Sequence, residues 1–233
     1  MNAFDALSRL PGRALPPDTL RRLAKRHRLV IDPFRDEIRD ARLLDLGAHD
    51  GRWCYAFALA GAREVVGVEP RADLTAGFAR YPDDAAKSRV RLVEGEAVPA
   101  LETFAASGER FDVVAVLGVF YHLIEHFRLL WLIRQTAPRL VIVDSEFSLA
   151  RAPVIELSRE RTDKALNAVA QLGGQRRAIK GVPSLSAMEQ LADALDYEVQ
   201  WVDPAPLAPD PEGVRDYFRQ RTVRRAVCAL RPR

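Results

Sequence analysis

With 233 residues and a formal net charge of +3, the chain is long enough for one large domain, or for a domain with a small appendage. Hydrophobic residues at 48% and charged residues at 29% exclude a disordered or fibrous chain and fit an ordinary globular one. No run approaches the ~18–20 uninterrupted apolar residues of a membrane span, and Met1–Leu10 lacks the apolar core of a secretory signal. Cys54 and Cys228 have no metal-type spacing and imply no disulfide framework, so a reduced, cytoplasmic setting is expected. Basic residues gather in Arg21–Arg28 and Arg219–Arg225, each with apolar residues interleaved, which reads as two amphipathic elements with solvated basic faces. So small a net charge argues against a dedicated nucleic-acid binder.

Pro11–Pro17 reads as a turn or linker. Asp18 or Thr19 then caps a helix to about Arg28, with Leu20, Leu23 and Ala24 on one face, and residues 1–40 form an N-terminal helical arm. From Arg42, short apolar runs alternate with helical stretches. Arg42–Leu46, Glu64–Glu69, Val90–Glu94, Phe111–Leu117 and Leu140–Asp144 are expected as strands. Gly51–Ala60, Arg71–Tyr81, Val98–Ala106 and Leu123–Thr136 are expected as the intervening helices. That rhythm indicates right-handed βαβ units on a parallel sheet. Ser145–Pro183 breaks it. Ser184 then caps a helix through Leu195, and Tyr197–Val202 and Thr222–Leu230 close the chain as strands around the proline-rich Pro204–Pro211.

The strongest local signal is Leu43–Trp53: an apolar strand, the turn Gly47-Ala48-His49-Asp50-Gly51, and a helix start. Glycine permits a tight turn and close approach to a ligand, and the helix start offers free N–H groups. In an open α/β sheet the ligand crevice lies at the carboxyl ends of the strands, where this turn sits. The second strand ends on Glu69, a carboxylate able to accept both hydroxyls of a ribose, and the third runs into Glu94-Gly95-Glu96. The fourth leads to Leu117-Gly118-Val119-Phe120-Tyr121-His122. The turn does not fit the G-x-G-x-x-G fingerprint of a nicotinamide-dinucleotide fold.

This ordered series resembles the class I methyltransferases that use S-adenosylmethionine (SAM), well over Arg42–Asp144 and loosely elsewhere. The resemblance implies a Rossmann-like, doubly wound α/β sheet of seven strands, mostly parallel with an antiparallel last strand, over 41–233. It implies that Asp45, Gly47, Ala48, His49 and Gly51 surround the methionine part of SAM, and that Glu69 and Pro70 lie at the ribose. Glu96 and Ala97 would lie by the adenine, and Leu117, Gly118 and Val119 beneath the sulfonium. His49 stands where the family commonly has a third glycine, so it must adopt a permissive backbone or alter the loop.

Methyl transfer from a sulfonium needs alignment and exclusion of water, and a base only when the acceptor must lose a proton. The residues expected near the transferred methyl are His122, whose ordinary pKa of about 6.5 suits a base, and Tyr121, expected as a site wall. No Asp/Glu/His cluster suggests a divalent metal. Gly118–His122 also resembles the corresponding segment of small-molecule methyltransferases and of the enzymes that modify tRNA wobble uridine by carboxymethyl transfer from a carboxylated SAM derivative. No clear basic patch adjoins that segment in the sequence, so transfer of a plain methyl group to the O, N or C of a small molecule is expected, with 145–183 as the acceptor-binding insertion. RNA as acceptor and a non-catalytic SAM-fold binding protein are the alternatives, and the oligomeric state stays open, a homodimer included.

Overall fold

The computed structural model describes Phe4, Leu7, residues 15–164 and residues 166–233. Most of Pro11–Pro17, expected as a linker, lies outside the described residues. In chain order the elements are α1 (Pro17–Val30), α2 (Arg35–Ile38), β1 (Arg42–Leu46), α3 (Arg52–Leu59), β2 (Glu64–Glu69), α4 (Ala72–Thr75), α5 (Asp84–Lys87) and β3 (Val90–Glu94). There follow α6 (Ala97–Ala106), β4 (Val113–Leu117), α7 (His126–Gln135), β5 (Leu140–Ser148), β6 (Ile155–Arg161), β7 (Arg177–Pro183), α8 (Leu185–Asp193), β8 (Tyr197–Trp201) and β9 (Val223–Pro232).

Seven strands form one sheet in the order β3-β2-β1-β4-β5-β9-β8. The first five pair in parallel, β9 is antiparallel to both of its neighbours, and β8 therefore points with the other five. The strand order reverses between β1 and β4, which opens a crevice beyond their carboxyl ends. The expected Rossmann-like sheet with an antiparallel last strand is the observed one.

Alternate residues of the strands feed two apolar layers. On one face, Leu43, Val65, Val113, Ala115 and Ile142 pack with Trp53 and Phe57 of α3 and with Leu23 and Val30 of α1. On the other, Leu44, Val66, Val114, Val116 and Val143 pack with Leu129 and Ile133 of α7 and Met188 of α8. All five residues of β4 are buried, as a strand covered on both faces requires.

Several boundaries differ from the sequence expectation, each for a local reason. The helix expected over Arg71–Tyr81 is split into α4 and a single 3₁₀ turn, Phe78–Arg80, because Gly77 is a poor helix former and Pro82 forces Tyr81 into extended backbone at ψ 143°. The helix expected from Leu123 starts at His126, because Phe120–His122 form a 3₁₀ turn and Leu123 is extended. Strand β5 runs four residues past Asp144 to Ser148 under its pairing with β9. The rest of the expected insertion is a two-stranded sheet of β6 and β7 with Glu160 opposite Ala178. Ser184 caps α8 by accepting the Ala187 N–H at 3.0 Å.

Most of the basic residues of α1 have acidic partners in the protein, while Arg28 is exposed. Arg22 forms a paired contact with Asp216 at 2.9 and 2.6 Å, Lys25 lies 2.8 Å from the Asp210 carboxylate, and Arg21 lies 2.5 Å from Glu212. One turn deeper, Arg26 donates through Nε to Asp144 Oδ2 at 2.8 Å and through Nη2 to the same oxygen. Asp144 is fully buried, and its other oxygen accepts from Arg225 Nε at 2.7 Å and from the Tyr217 hydroxyl at 2.9 Å. Burial alone would raise the Asp144 pKa, and the two guanidiniums outweigh it and hold the carboxyl below its ordinary value. Removing this carboxylate leaves two buried arginines uncompensated. Asp144→Ala is expected to cost about 3–5 kcal/mol, read as a lowered midpoint in urea unfolding, and a loss below about 1 kcal/mol would show that the cluster contributes little to stability.

Candidate active site

The crevice at the carboxyl ends of β1, β2 and β4 has two lobes. The larger, about 300 Å³, is walled by Arg22, Leu23 and Arg26 of α1, by Gly47, His49, Arg52 and Trp53, by Leu117, Gly118, Val119 and Tyr121, and by Arg225 of β9. The smaller, about 110 Å³, is walled by Val68, Pro70, Glu96, Ala97 and Leu123 and by residues of the insertion that include Val169 and Ile179. Gly47, Glu69, Arg71, Val119, His122 and Asn167 face both.

The turn after β1 is shaped by three residues in left-handed backbone: Gly47 at φ 77°, His49 at φ 53° and Gly51 at φ 80°. A Cβ on Gly47 would lie 3.0 Å from Val119 Cβ, and one on Gly51 would lie 2.5 Å from the Phe78 ring, so neither place admits a side chain. His49 resolves the missing-glycine question by taking the permissive conformation itself. Its N–H donates to Glu69 Oε2 at 2.9 Å, an anchor that offsets the cost of that backbone. Arg71 N–H reaches Glu69 Oε1 at 3.2 Å. With two backbone donors fixing the carboxylate, each Glu69 oxygen keeps a lone pair for a further donor.

Next in the turn, Asp50 is paired with Arg52 by two contacts of 2.6 Å. Burial acts to raise its pKa, and the neighbouring His49 and Arg52 outweigh burial and hold the carboxyl well below the ordinary range.

Asp45, Ala48 and Gly51 do not wall the crevice. Ala48 packs on Gly67 of β2, and Gly51 packs on Phe78. Asp45 is buried beneath the turn at 1% exposure, where Cys54 Sγ donates to Oδ2 at 3.2 Å. Its Oδ1 has no hydrogen-bond partner among the described residues. Burial is the main cause that pushes the Asp45 pKa up, to about 7. The Cys54 contact works against it, the Glu69 charge adds to it, and the Arg26 charge opposes it. The other residues read from sequence (Gly47, His49, Glu69, Pro70, Glu96, Ala97, Leu117, Gly118, Val119, Tyr121 and His122) are gathered around the two lobes.

Sequence reasoning missed the second wall. Arg22, Leu23 and Arg26 arrive from α1, Arg52 and Trp53 from α3, Arg71 from β2's exit, Leu166 and Asn167 from the insertion, and Arg225 from β9. Arg225 sits in a cluster read as a solvated basic face, yet it is 7% exposed. A further correction concerns the fourth-strand segment, which does have cations beside it. Lys180 Nζ lies 5.1 Å from the Tyr121 ring centre, and Arg225 Nη2 would lie 3.2 Å from a Cβ on Gly118. Both have acidic partners, Glu146 for Lys180 and Asp144 for Arg225. Asp144 itself is fully buried.

No family model and no curated protein matches the chain. Solved structures do match its fold. The N-terminal domain of EvdMO1, crystallised with S-adenosylhomocysteine (SAH) and D-fucose, aligns at a TM-score of 0.60 and 17% identity, covering 86% of this chain and 80% of that one. Magnesium protoporphyrin IX methyltransferase from Synechocystis PCC 6803 with bound SAM aligns at 0.53 and 14% identity, covering 98% and 90%. The 1,6-didemethyltoxoflavin-N1-methyltransferase of Burkholderia thailandensis, with that compound and SAH bound, aligns at 0.52 and 18%, covering 86% and 77%. The fold of this chain is therefore that of the class I SAM-dependent methyltransferases.

The raised Asp45 pKa makes a signed prediction. Between about pH 4 and pH 7 the folded protein holds a proton on Asp45 that the unfolded chain releases, so this group's contribution falls as pH rises, by a few kcal/mol in all (about 1.4 kcal/mol per pKa unit). His126, driven down to about 4 chiefly by burial, acts in the opposite sense over about pH 4–6.5 in either protein. Urea unfolding of the wild type and Asp45→Asn at pH 5 and pH 8 is expected to show a variant that gains relative stability toward pH 8. Parallel pH dependences would remove Asp45 as the source.

Proposed function

We propose that the chain is a SAM-dependent methyltransferase acting on a small-molecule acceptor. The observation that carries the reading is Glu69: a nearly buried carboxylate, fixed by the His49 and Arg71 backbone N–H groups, at the junction of the two lobes. The residues fit the cofactor. Glu69 has the lone pairs to take the two ribose hydroxyls, and Pro70, Glu96 and Ala97 bound a narrow lobe suited to the adenine. The turn at Gly47 has no Cβ in the way of the amino-acid part. When bound, SAM would supply an electrophilic methyl group to the acceptor.

The protein's own part is to align the acceptor, to keep water out and to receive a proton where one is lost. Leu117, Gly118 and Val119 form the floor, Tyr121 a wall, and His122 is the base available to an acceptor bearing O–H or N–H. Helix α1, with Leu23 and Arg26 on the larger lobe, closes it as a lid over the domain of residues 41–233. A small acceptor is favoured over RNA because the α1 cations already have protein partners in Glu212, Asp216, Asp210 and Asp144, which leaves few charges to meet phosphates.

One observation favours a second reading. Arg26 and Arg225 share the single carboxylate of Asp144, which leaves one positive charge in excess close to Tyr121. A carboxylate on the transferred group, as in carboxymethyl transfer from a carboxylated SAM derivative, would neutralise it. Competition calorimetry of SAM against its carboxylated derivative separates the two, because a tenfold preference for the carboxylated donor replaces methyl by carboxymethyl transfer.

Calorimetric titration with SAH tests the main reading. The wild type is expected to bind, and Glu69→Ala to lose tenfold or more, about 1.4–3 kcal/mol, as two acceptors for hydroxyl groups disappear. No SAH binding by the wild type, or unchanged affinity in the variant, would overturn it. Salt-sensitive capture of bulk tRNA on a filter would move the acceptor from small molecule to RNA.

A further inference from the structure

His122 sits in the 3₁₀ turn after β4 and faces both lobes of the crevice. Its Nδ1 lies 2.5 Å from Glu160 Oε1, and both side chains are about one-tenth exposed. Glu160 belongs to β6 of the insertion, where the other six residues of the strand are exposed and Glu160 alone is turned inward. The same carboxylate oxygen accepts the Ala168 N–H at 2.8 Å, which fixes it against the imidazole. The hairpin is further seated by the Gly181 N–H, which donates to Leu123 O at 3.1 Å, one residue past His122. The Nε2 of His122 has no hydrogen-bond partner among the described residues and is not shut away from the crevice as a buried orphan.

We infer that Glu160 is a positioning residue for His122: it holds the proton on Nδ1, presents the Nε2 lone pair to the crevice and balances the imidazolium charge once Nε2 has taken a proton. This deepens the proposed function and rests on it for the role of His122, while the pairing itself does not depend on any acceptor. In the proton step, an acceptor O–H or N–H gives its proton to Nε2 as its own electron pair forms the new bond to carbon. Glu160 stays ionised throughout, because a carboxylate that orients a histidine need not accept the proton to stabilise the cation. Burial would raise the Glu160 pKa, and the hydrogen bonds from His122 and Ala168 outweigh it, in keeping with an ionised partner. The charged and titratable groups around the pair are Tyr121 at 4.1 Å between rings, Lys180 and Glu146, which pair with each other, Arg225 on Asp144, and Glu69 across the crevice. None of these contacts the imidazole as an anion; among the described residues Glu160 alone does.

The signal was present in the sequence only as one acid among many in a charged run, and the hairpin register is what places it.

The test is nitrogen-15 NMR of histidine-labelled protein without any acceptor, with the His122 signals assigned by their loss in His122→Gln. In the wild type the neutral imidazole is expected as the Nδ1–H tautomer. The fraction of that tautomer is expected to fall at least twofold in Glu160→Gln, which keeps the shape without the charge. A dominant Nε2–H tautomer in the wild type, or an unchanged tautomer fraction in the variant, would overturn the assignment. The tautomer needs no variant, so a poorly folding Glu160→Gln does not shield the proposal. SAH calorimetry on the same wild-type sample separates the outcomes: binding without the Nδ1–H tautomer removes Glu160's role alone, whereas loss of SAH binding removes the cofactor reading and leaves the pairing standing.

Discussion

The crevice depends on one carboxylate. Asp144 lies at the bottom of the wall where β5 passes the ends of β1 and β4, and its two oxygens bind parts of the chain that are remote in sequence: Arg26 from α1, Tyr217 from a 3₁₀ turn and Arg225 from β9. A single buried anion between two guanidiniums is costly to leave unpaired and specific in geometry. It fixes α1 against the sheet, where Arg26 also stacks 5.1 Å over Trp53, so that the helix forms a wall of the larger lobe instead of projecting into solvent. The outer pairs of α1 with Asp210, Glu212 and Asp216 continue the same seam toward the surface.

Around this anchor the site divides its tasks by location. The turn after β1 and the end of β2 form one wall of backbone and a fixed carboxylate, in which His49 and Glu69 hold each other. The turn after β4 brings Tyr121 and His122 to the junction of the lobes. The insertion closes the far side and contributes Glu160. Three walls thus come from the sheet, from a helix ahead of it and from a hairpin behind it, and the helix and the hairpin are each joined to the sheet side by a buried ionised or hydrogen-bonded contact as well as by apolar packing.

Features with short sequence range were legible before any coordinates. Leu43–Leu46, Val65–Val68 and Val113–Leu117 are apolar runs whose neighbours are helices, and the parallel sheet follows from that rhythm. Glu69 was legible because an acid closing an apolar strand has few structural reasons to be there. The partners of Asp144 were not legible, since Arg26 is 118 positions away and Arg225 81, and nothing in a basic cluster distinguishes the one arginine that turns inward. Glu160 was hidden in the same way. Its neighbours Arg159 and Arg161 are exposed, and only the register against Ala178 turns the glutamate toward His122. The continuous helix expected after Pro70 failed because Gly77 and Pro82 weighed more than the helical spacing of the apolar residues around them.

The distance in sequence between Asp144 and its partners also sets an order of assembly. Loops of 118 and 81 residues must close before the two guanidiniums find their anion, and closing long loops is slow compared with forming one helix. Helix α1 is an early, local structure, yet its seat exists only after β5 and the final strand have joined the sheet. The wall it makes is therefore the last part of the crevice to settle during folding. Its outer seam is made of ion pairs, while its inner face buries Leu23, Leu29 and Val30 in the core, so opening it gives up apolar contacts as well as charges. A molecule built this way holds that side of its binding crevice shut by the same contacts that complete its core.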